Sequence, residues 1–520
     1  MCHNVYIHTQ SIKKQKGEKM KFEKIKYLVC ILFILFSITS CAKKCKHVTS
    51  DWIVDVESTC VTKGSKHKEC TKCKEVLETS EIELKEHIYK DGICEVCGKE
   101  LTSSDFIYKL NPSATGYIIT DIDYSKYNPD TISIMIPSQY NGLPVVGIAD
   151  NVFKDMQRIK RVEIPDSVTS IGSNAFRGCI GLTSITLPFV GNGTNETYFG
   201  YIFGAYSCSD NSRYVPATLK EVIITSARSI GDSAFEGCSG LTSIVIPDSV
   251  TSIGESAFSG CVNLNYNNYD NGLYLGNKNN PYVVLIKAIN TNITEIEINE
   301  KTHIIYFGAL FGCSELISLM VPNGVTNIGY KAFSGCSNLA NLTIPFVGNG
   351  VNKNYLGYIF GASSYSENSK YIPTTLKEVI IIGDTNIETA AFYGCGNLTS
   401  IAILNSINSI GNLAFYGCSS LTDIEIPSDI TNIGDSAFYN CSNLTSIEIP
   451  NGVTNIGCWA FYGCSSLINI EIPNSVTSIG EFAFCNCDKL TIYCETTSKP
   501  NGWSTSWNPN NCQVLWGYEK

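Results

Sequence analysis

Arginine is scarce: it stands only at Arg158, Arg161, Arg177, Arg213 and Arg228, so the C-terminal half of this 520-residue chain has none. That half lacks the guanidinium fork that clamps phosphates. Basic charge is sparse overall. The formal net charge is −10, and residues 1–40 alone carry seven Lys against two acids, which leaves −15 on the remainder. An acidic body of this kind argues against nucleic acid as a partner. The six histidines are His3, His8, His47, His67, His87 and His303. A lone His303 without a nucleophile or a paired carboxylate marks no catalytic centre, and no Gly-rich loop followed by Lys is present to cradle a phosphate. The chain therefore reads as non-catalytic. The apolar run from Tyr27 to Phe36 is too short to span a bilayer comfortably.

What the chain does have is a period. Cysteines recur at Cys395, Cys418, Cys441, Cys464 and Cys487, a spacing of 23 residues, and the pairs Cys238/Cys261 and Cys313/Cys336 keep it. Around each stands the pattern A-F-x-G-C-x-x-L-x-x-I-x-I-P-x-x-V-T-x-I-G, as in Ala437-Phe438 through Gly457. A fixed period in the twenties predicts a solenoid. Leu444, Ile447 and Ile449 are expected to face inward, the I-x-I alternation reading as a strand. Pro450 ends that strand for want of an N–H, and Gly457 is expected to permit the turn back. Phe438 and Cys441 should stack on their counterparts one rung away. A single rung buries almost nothing, so stacking must create the core. The expected fold class is a mainly β solenoid of about fifteen rungs at one strand spacing each.

The run Ala257–Cys261 together with Leu241–Gly254 resembles the repeats of the BspA-type bacterial leucine-rich-repeat surface proteins, and the likeness extends over residues 115–518. The resemblance implies a secreted or surface-attached repeat protein with an extracellular or host protein as ligand.

The 24 cysteines are mostly absorbed by the repeat position. Neighbouring ladder thiols fall about 5 Å apart, which makes bridging conceivable, but a small buried thiol suits a tight interior. Cys458, Cys485, Cys494 and Cys512 lie off the ladder and are the better disulfide candidates in an oxidising compartment.

Translation is expected to start at Met20, leaving 1–19 untranslated. Residues 20–40 then read as a lipoprotein signal peptide, with a basic start, the apolar run, and Ile38-Thr39-Ser40-Cys41, which resembles the bacterial lipobox. Lipidation of Cys41 would anchor the protein to the membrane. Residues 41–105 form a cysteine-rich module without the repeat. Its Cys70-x-x-Cys73 and Cys94-x-x-Cys97 pairs have the spacing of a structural zinc site, with Cys45, Cys60, His47, His67 and His87 as substitute ligands. The competing reading is two or three disulfides, favoured outside the cytoplasm. Either would staple a segment too short to build a good core.

Residues 115–156 are expected to cap the array, 157–490 to form it, and 491–520, with Trp503, Trp507 and Trp516, to close it. Insertions interrupt it at 188–218, 265–290 and 345–375. The first and third are copies: Pro188–Gly193 and Tyr198–Ala205 recur 157 residues later as Pro345–Gly350 and Tyr355–Ala362. The middle one carries Asn271-Gly272, a hairpin signal. Two surfaces suit a ligand. Glu425, Glu448 and Glu471 should form an outward acidic column for a basic peptide or Ca²⁺, or a solvated edge. Tyr201 and Tyr358, with Phe203 and Phe360, either make adaptable contacts from Gly/Asn-rich loops or plug the coil. The function so implied is a cell-surface, adhesin-like protein-binding lipoprotein, its alternative a passive structural spacer of the envelope.

Overall fold

The computed structural model describes residues 48–56, 63–72, 74, 76–83, 89–90, 93–94, 99–101, 103–125, 131–383, 386–405 and 407–519. The chain divides into two compact units, Met1–Cys97 and Gly98–Lys520. Among the described residues, no helix is long and apolar enough to cross a membrane.

In the first unit the strands Ile53–Val56, Gly64–Glu69 and Val76–Ile82 form an antiparallel sheet. Trp52 takes the ammonium groups of Lys66 and Lys68 at 4.7 and 4.5 Å from its ring centroid. Ile53, Val54, Val56 and Val76 are all exposed. A sheet that leaves its apolar side chains in water gains little from burial.

The second unit is a β-solenoid of about 16 turns. Each rung contributes one strand to a first parallel column, and partners lie one rung apart: Ile447 pairs with Ile470, and Ile470 with Ile492. The alternation places Leu444, Ile447 and Ile449 in the core and leaves Ser446 and Glu448 outside. Pro450 then accepts the amide of Val453 at 3.0 Å in a turn. A second column follows, made of two-residue strands such as Asn455–Ile456, paired to Asn432–Ile433 and Ser478–Ile479. Threonine hydroxyls tie the rungs together, Thr454 donating to Thr431 and Thr477 to Thr454 at 3.1 and 3.2 Å.

The third side is the A-F-x-G-C segment. Its bend comes from two left-handed residues, Ser436 at φ 53° and Asn440 at φ 55°, the latter place held by Gly in most rungs. Gly457 is not among them. Its role differs from the expected turn: a Cβ there would lie 2.5 Å from the amide nitrogen of Asp435 one rung back, so the position serves close backbone approach.

Phe392, Phe415, Phe438, Phe461 and Phe484 form a continuous stack with centroids 5.0 to 5.4 Å apart. Trp507 meets Phe484 edge-on at 5.8 Å, and Trp503 is 2% exposed with its indole N–H on the carbonyl of Val476. These two tryptophans close the last rung. At the front, Phe106–Leu110 and Tyr117–Ile122 form an antiparallel pair, and Tyr108 stacks on Tyr140 at 3.8 Å.

The insertions keep the stack going. Phe199 and Phe203 are buried between Phe176 and Phe235, and Phe360 follows Phe333. Each insertion is pinned by one buried asparagine: Asn211 accepts the amide of Gly200 at 2.8 Å and donates to the carbonyl of Ala234 at 3.0 Å, and Asn368 repeats this with Gly357 and Tyr393. The middle insertion is the hairpin Asn267–Tyr269 with Gly272–Leu275, turning on Asp270 (φ 47°) and Asn271, one residue earlier than the Asn-Gly signal. Gly272–Leu275 then pairs antiparallel with Val284–Ala288, which joins Ile304–Ile305 in parallel.

Candidate functional site

The ladder thiols are donors within the wall. Cys441, Cys464 and Cys487 give their S–H to the carbonyls of Phe415, Phe438 and Phe461 at 3.2, 3.2 and 3.0 Å. Burial pushes the thiols up, to about 12 for Cys418 and Cys487, so they stay protonated and unreactive at neutral pH. The expected off-ladder disulfides do not form: Cys458, Cys485, Cys494 and Cys512 carry free thiols, that of Cys512 donating to the carbonyl of Cys487 at 3.4 Å. Treating the native protein with a maleimide at pH 8 is therefore expected to leave Cys418, Cys441 and Cys464 unlabelled, while half-exposed Cys458 and Cys485 react. Mass spectrometry of labelled peptides checks this, and labelling of the ladder without denaturant would contradict it.

Cys41, Cys73 and Cys97 lie outside the described residues, as does the side chain of Cys94; Cys70 is buried. Among the described residues no group of three or more His, Cys, Asp or Glu is arranged to hold a metal.

Glu425 and Glu448 are exposed and Glu471 is half-buried, at equivalent places in successive rungs. Glu448 and Glu471 are in-register neighbours on paired strands, followed by Tyr493. Glu425 follows Asp423–Ile424, which pairs back to Ser400–Ile401, whereas Ser446–Glu448 belongs to the next sheet. The two rungs remain joined beside the glutamates, Thr445 donating its amide and its hydroxyl to the carbonyl of Thr422 at 3.2 and 3.1 Å.

The aromatic insertions divide their residues between the two expected roles. Phe203 and Phe360 are core, at 1% exposure each, while Tyr201 and Tyr358 are half-buried on the other side of the same short helical turns. Of the two, Tyr358 reaches a groove on the second unit and Tyr201 does not. That groove, of about 530 Å³, opens where the second strand column is interrupted: Ser229–Ile230 and Ser252–Ile253 form one pair, Ile304–Ile305 and Asn327–Ile328 belong to another sheet, and the two are not bonded to each other. The groove is lined by Asp232, Glu255, Phe307, Asn327, Tyr330 and Tyr358 among others.

Its rings are mutually tilted, Phe307 to Tyr330 at 6.3 Å and 37°, Tyr330 to Tyr358 at 5.2 Å and 47°. The hydroxyl of Tyr330 donates to the carbonyl of Gly361 at 2.7 Å, which fixes the ring against the second insertion. Asp232 is committed to the backbone, accepting the amide of Glu255 at 2.8 Å, so Glu255 is the more available acid. Partial burial first, then the neighbouring Asp232, holds the Glu255 carboxyl above the usual range, and Lys331 works the other way. The phenol of Tyr358 is pushed up to about 12, first by burial and then by Glu255. These shifts describe a concave, acidic, partly dehydrated surface.

The repeat itself matches the family model described as BspA type leucine rich repeat region, in six copies over residues 133–205, 206–278, 289–377 and 385–499, well over half of the chain. The chain belongs to the BspA-type leucine-rich-repeat family. No curated protein matches it. Among solved structures it is similar to a leucine rich cell surface protein of Faecalibacterium prausnitzii A2-165, at 28% identity over 81% of this chain and 98% of that one, with a TM-score of 0.26. A leucine-rich repeat protein of Bacteroides ovatus ATCC 8483 is 23% identical over 78% of this chain and 100% of its own, with a TM-score of 0.28. The pneumococcal vaccine antigen PcpA is 17% identical over 81% and 85%, with a TM-score of 0.25.

Within the BspA-type repeat, Glu255, Phe307, Asn327 and Tyr330 carry no signal of their own in the sequence because each stands at an ordinary repeat position. The usable signal was a departure next door: His303-Ile304-Ile305 replaces the usual Thr-Ser-Ile. A second feature was visible as a period. Tyr393, Tyr416, Tyr439 and Tyr462 recur every 23 residues and stack at 4.8, 4.6 and 4.5 Å within 7° of parallel.

Proposed function

We propose that the chain is a non-catalytic, adhesin-like protein of the cell surface that binds an extracellular or host protein, tethered to the membrane through lipid on Cys41. The observation that carries the binding reading is the groove at the interruption of the second strand column, where an acid and three aromatic rings meet beside the second insertion. Regular rungs saturate their own edges with neighbours, and a break between sheets is where a solenoid has chemistry to spare for a ligand. Aromatic side chains held half-buried at a concave surface are the residue types that dominate protein-binding energetics.

The test uses the full chain on cells, with capture of matrix proteins and of host cells as the readout. Wild type is expected to capture a protein ligand, and Cys41→Ala to move that activity into the medium. Tyr358→Ala should weaken capture about tenfold, the scale of a single interface anchor, while Tyr201→Ala, outside the groove, should change it little. Replacing Glu425, Glu448 and Glu471 together with Gln should leave the melting temperature unchanged or slightly higher, because exposed like charges repel weakly. Loss of capture in that triple variant with retention in Tyr358→Ala would move the site to the acidic column. Absence of any captured protein by wild type would leave the passive spacer.

A further inference from the structure

The groove contains a polar group that the fold does not satisfy. Asn327 is 8% exposed, and its side-chain amide makes no hydrogen bond among the described residues. The equivalent Asn455 donates to Asn432 Oδ1 at 2.6 Å, its neighbour in register one rung back. Asn327 has Ile304 in that place, and isoleucine offers no partner. On the other side the next rung is replaced by the second insertion, where Asn349 spends its carbonyl oxygen on the amides of Val351, Asn352 and Lys353. The amide therefore opens onto the groove, where a ligand can bond it in place of water.

The groove also carries negative charge without an equal share of positive charge. Asp232 and Glu255 line it, and the cation beside it is Lys331, whose ammonium sits 5.1 Å from the ring centroid of Tyr330. That contact is an internal example of what the site accepts: a cation against a tyrosine face near a carboxylate. The tilted rings provide no flat platform of the kind a sugar ring stacks upon.

We infer that the groove receives an arginine side chain of the partner protein, its guanidinium between the Glu255 carboxylate and the Asn327 side-chain carbonyl and its plane against Tyr330 or Tyr358. The inference rests on the reading of the chain as a protein binder. A guanidinium fits the inventory: it is planar, always charged, only donates, and stacks on aromatic faces while bonding a carboxylate. The groove supplies the acceptors, the Glu255 carboxylate and the side-chain carbonyl of Asn327.

The test titrates the whole protein with the peptide acetyl-Gly-Gly-Arg-Gly-Gly-amide and with the same peptide carrying citrulline, the neutral isostere of arginine. The arginine peptide is expected to bind at one saturable site, and the citrulline peptide about tenfold more weakly, since charge assistance is lost. Glu255→Gln should weaken the arginine peptide about tenfold. Asn327→Ser, which restores the residue found at this position in other rungs, should weaken it about threefold. Lys331→Gln removes the competing internal cation and should tighten it about threefold, a direction that damage to the fold would not produce. Glu448→Gln with Glu471→Gln should leave it unchanged, separating the groove from general acidity. Equal binding of citrulline and arginine, no effect of Glu255→Gln, or no binding of the arginine peptide would each overturn the assignment. Protein capture that persists beside a silent arginine peptide sinks this inference alone, whereas peptide binding without any captured protein sinks the broader reading instead.

Discussion

Replacing Phe438 with Ala is expected to cost about 3–5 kcal/mol of stability, the range for removing a fully buried aromatic ring. Phe438 has no exposed surface and lies between Phe415 at 5.0 Å and Phe461 at 5.2 Å, nearly parallel to the latter. Its carbonyl also accepts the thiol of Cys464 at 3.2 Å, so the residue holds the next rung by backbone as well as by ring. In a solenoid, stability is the sum of rung terms and nearest-neighbour interfaces, and one truncated ring weakens two interfaces at once. Unfolding should then begin around this rung and spread both ways. Tyr439→Ala, in the half-exposed tyrosine stack beside it, is expected to cost about 1 kcal/mol, since a smaller part of that ring leaves water. Urea denaturation followed by far-UV circular dichroism measures both. A Phe438→Ala loss no larger than that of Tyr439→Ala would mean that the phenylalanine stack is not the spine of the array.

The repeat made much of this legible. A period of 23 with Leu and Ile at fixed offsets determines which residues can meet, because parallel strands stacked in register bring each residue onto its counterpart. The core positions Leu444, Ile447, Ile449, Phe438 and Cys441 follow from that rule alone. The groove does not. It draws on residues from Thr197 to Tyr358, which come together where a hairpin and two copied insertions interrupt the second column. The unsatisfied state of Asn327 is likewise a property of a pair. It depends on Ile304 being its register partner, which no local pattern around Asn327 reveals. Tyr201 and Phe203 share one insertion but not one environment. In a helical turn with about three residues per turn, positions two apart point in different directions, so one plugs the coil and the other does not. Equal spacing in sequence places Glu425, Glu448 and Glu471 on equivalent rungs with their side chains outside the core, and strand pairing sets Glu448 beside Glu471.

Gly457→Ala should lower stability by about 1–3 kcal/mol, the cost of forcing an extra methyl into a packed interior, even though its backbone is not in the left-handed region. A Cβ there would stand 2.5 Å from the amide nitrogen of Asp435 and 2.6 Å from the carbonyl carbon of Gly434, both main-chain atoms of the preceding rung. Side-chain rearrangement cannot relieve such a contact. The same approach recurs at Gly411, Gly434 and Gly480, each with a backbone nitrogen of the previous rung within 2.4 to 2.6 Å of the added carbon, so the methyl must pry two rungs apart. Gly312 offers the contrast. It sits at φ 77° with nothing within 4 Å of the added Cβ, so Gly312→Ala meets only the left-handed penalty, about 1–2 kcal/mol, less the roughly 0.4–1 kcal/mol gained by restricting the unfolded chain. Its net cost should stay near or below about 1 kcal/mol. The two variants differ in mechanism as well as size. Separated rungs would weaken the amide protection of residues 432–435 and 455–458 in hydrogen exchange, whereas a strained but unobstructed turn at Gly312 would leave its neighbours protected. Equal denaturation midpoints, together with unchanged exchange around Gly457, would mean that the rungs are spaced more loosely than the close backbone contacts imply.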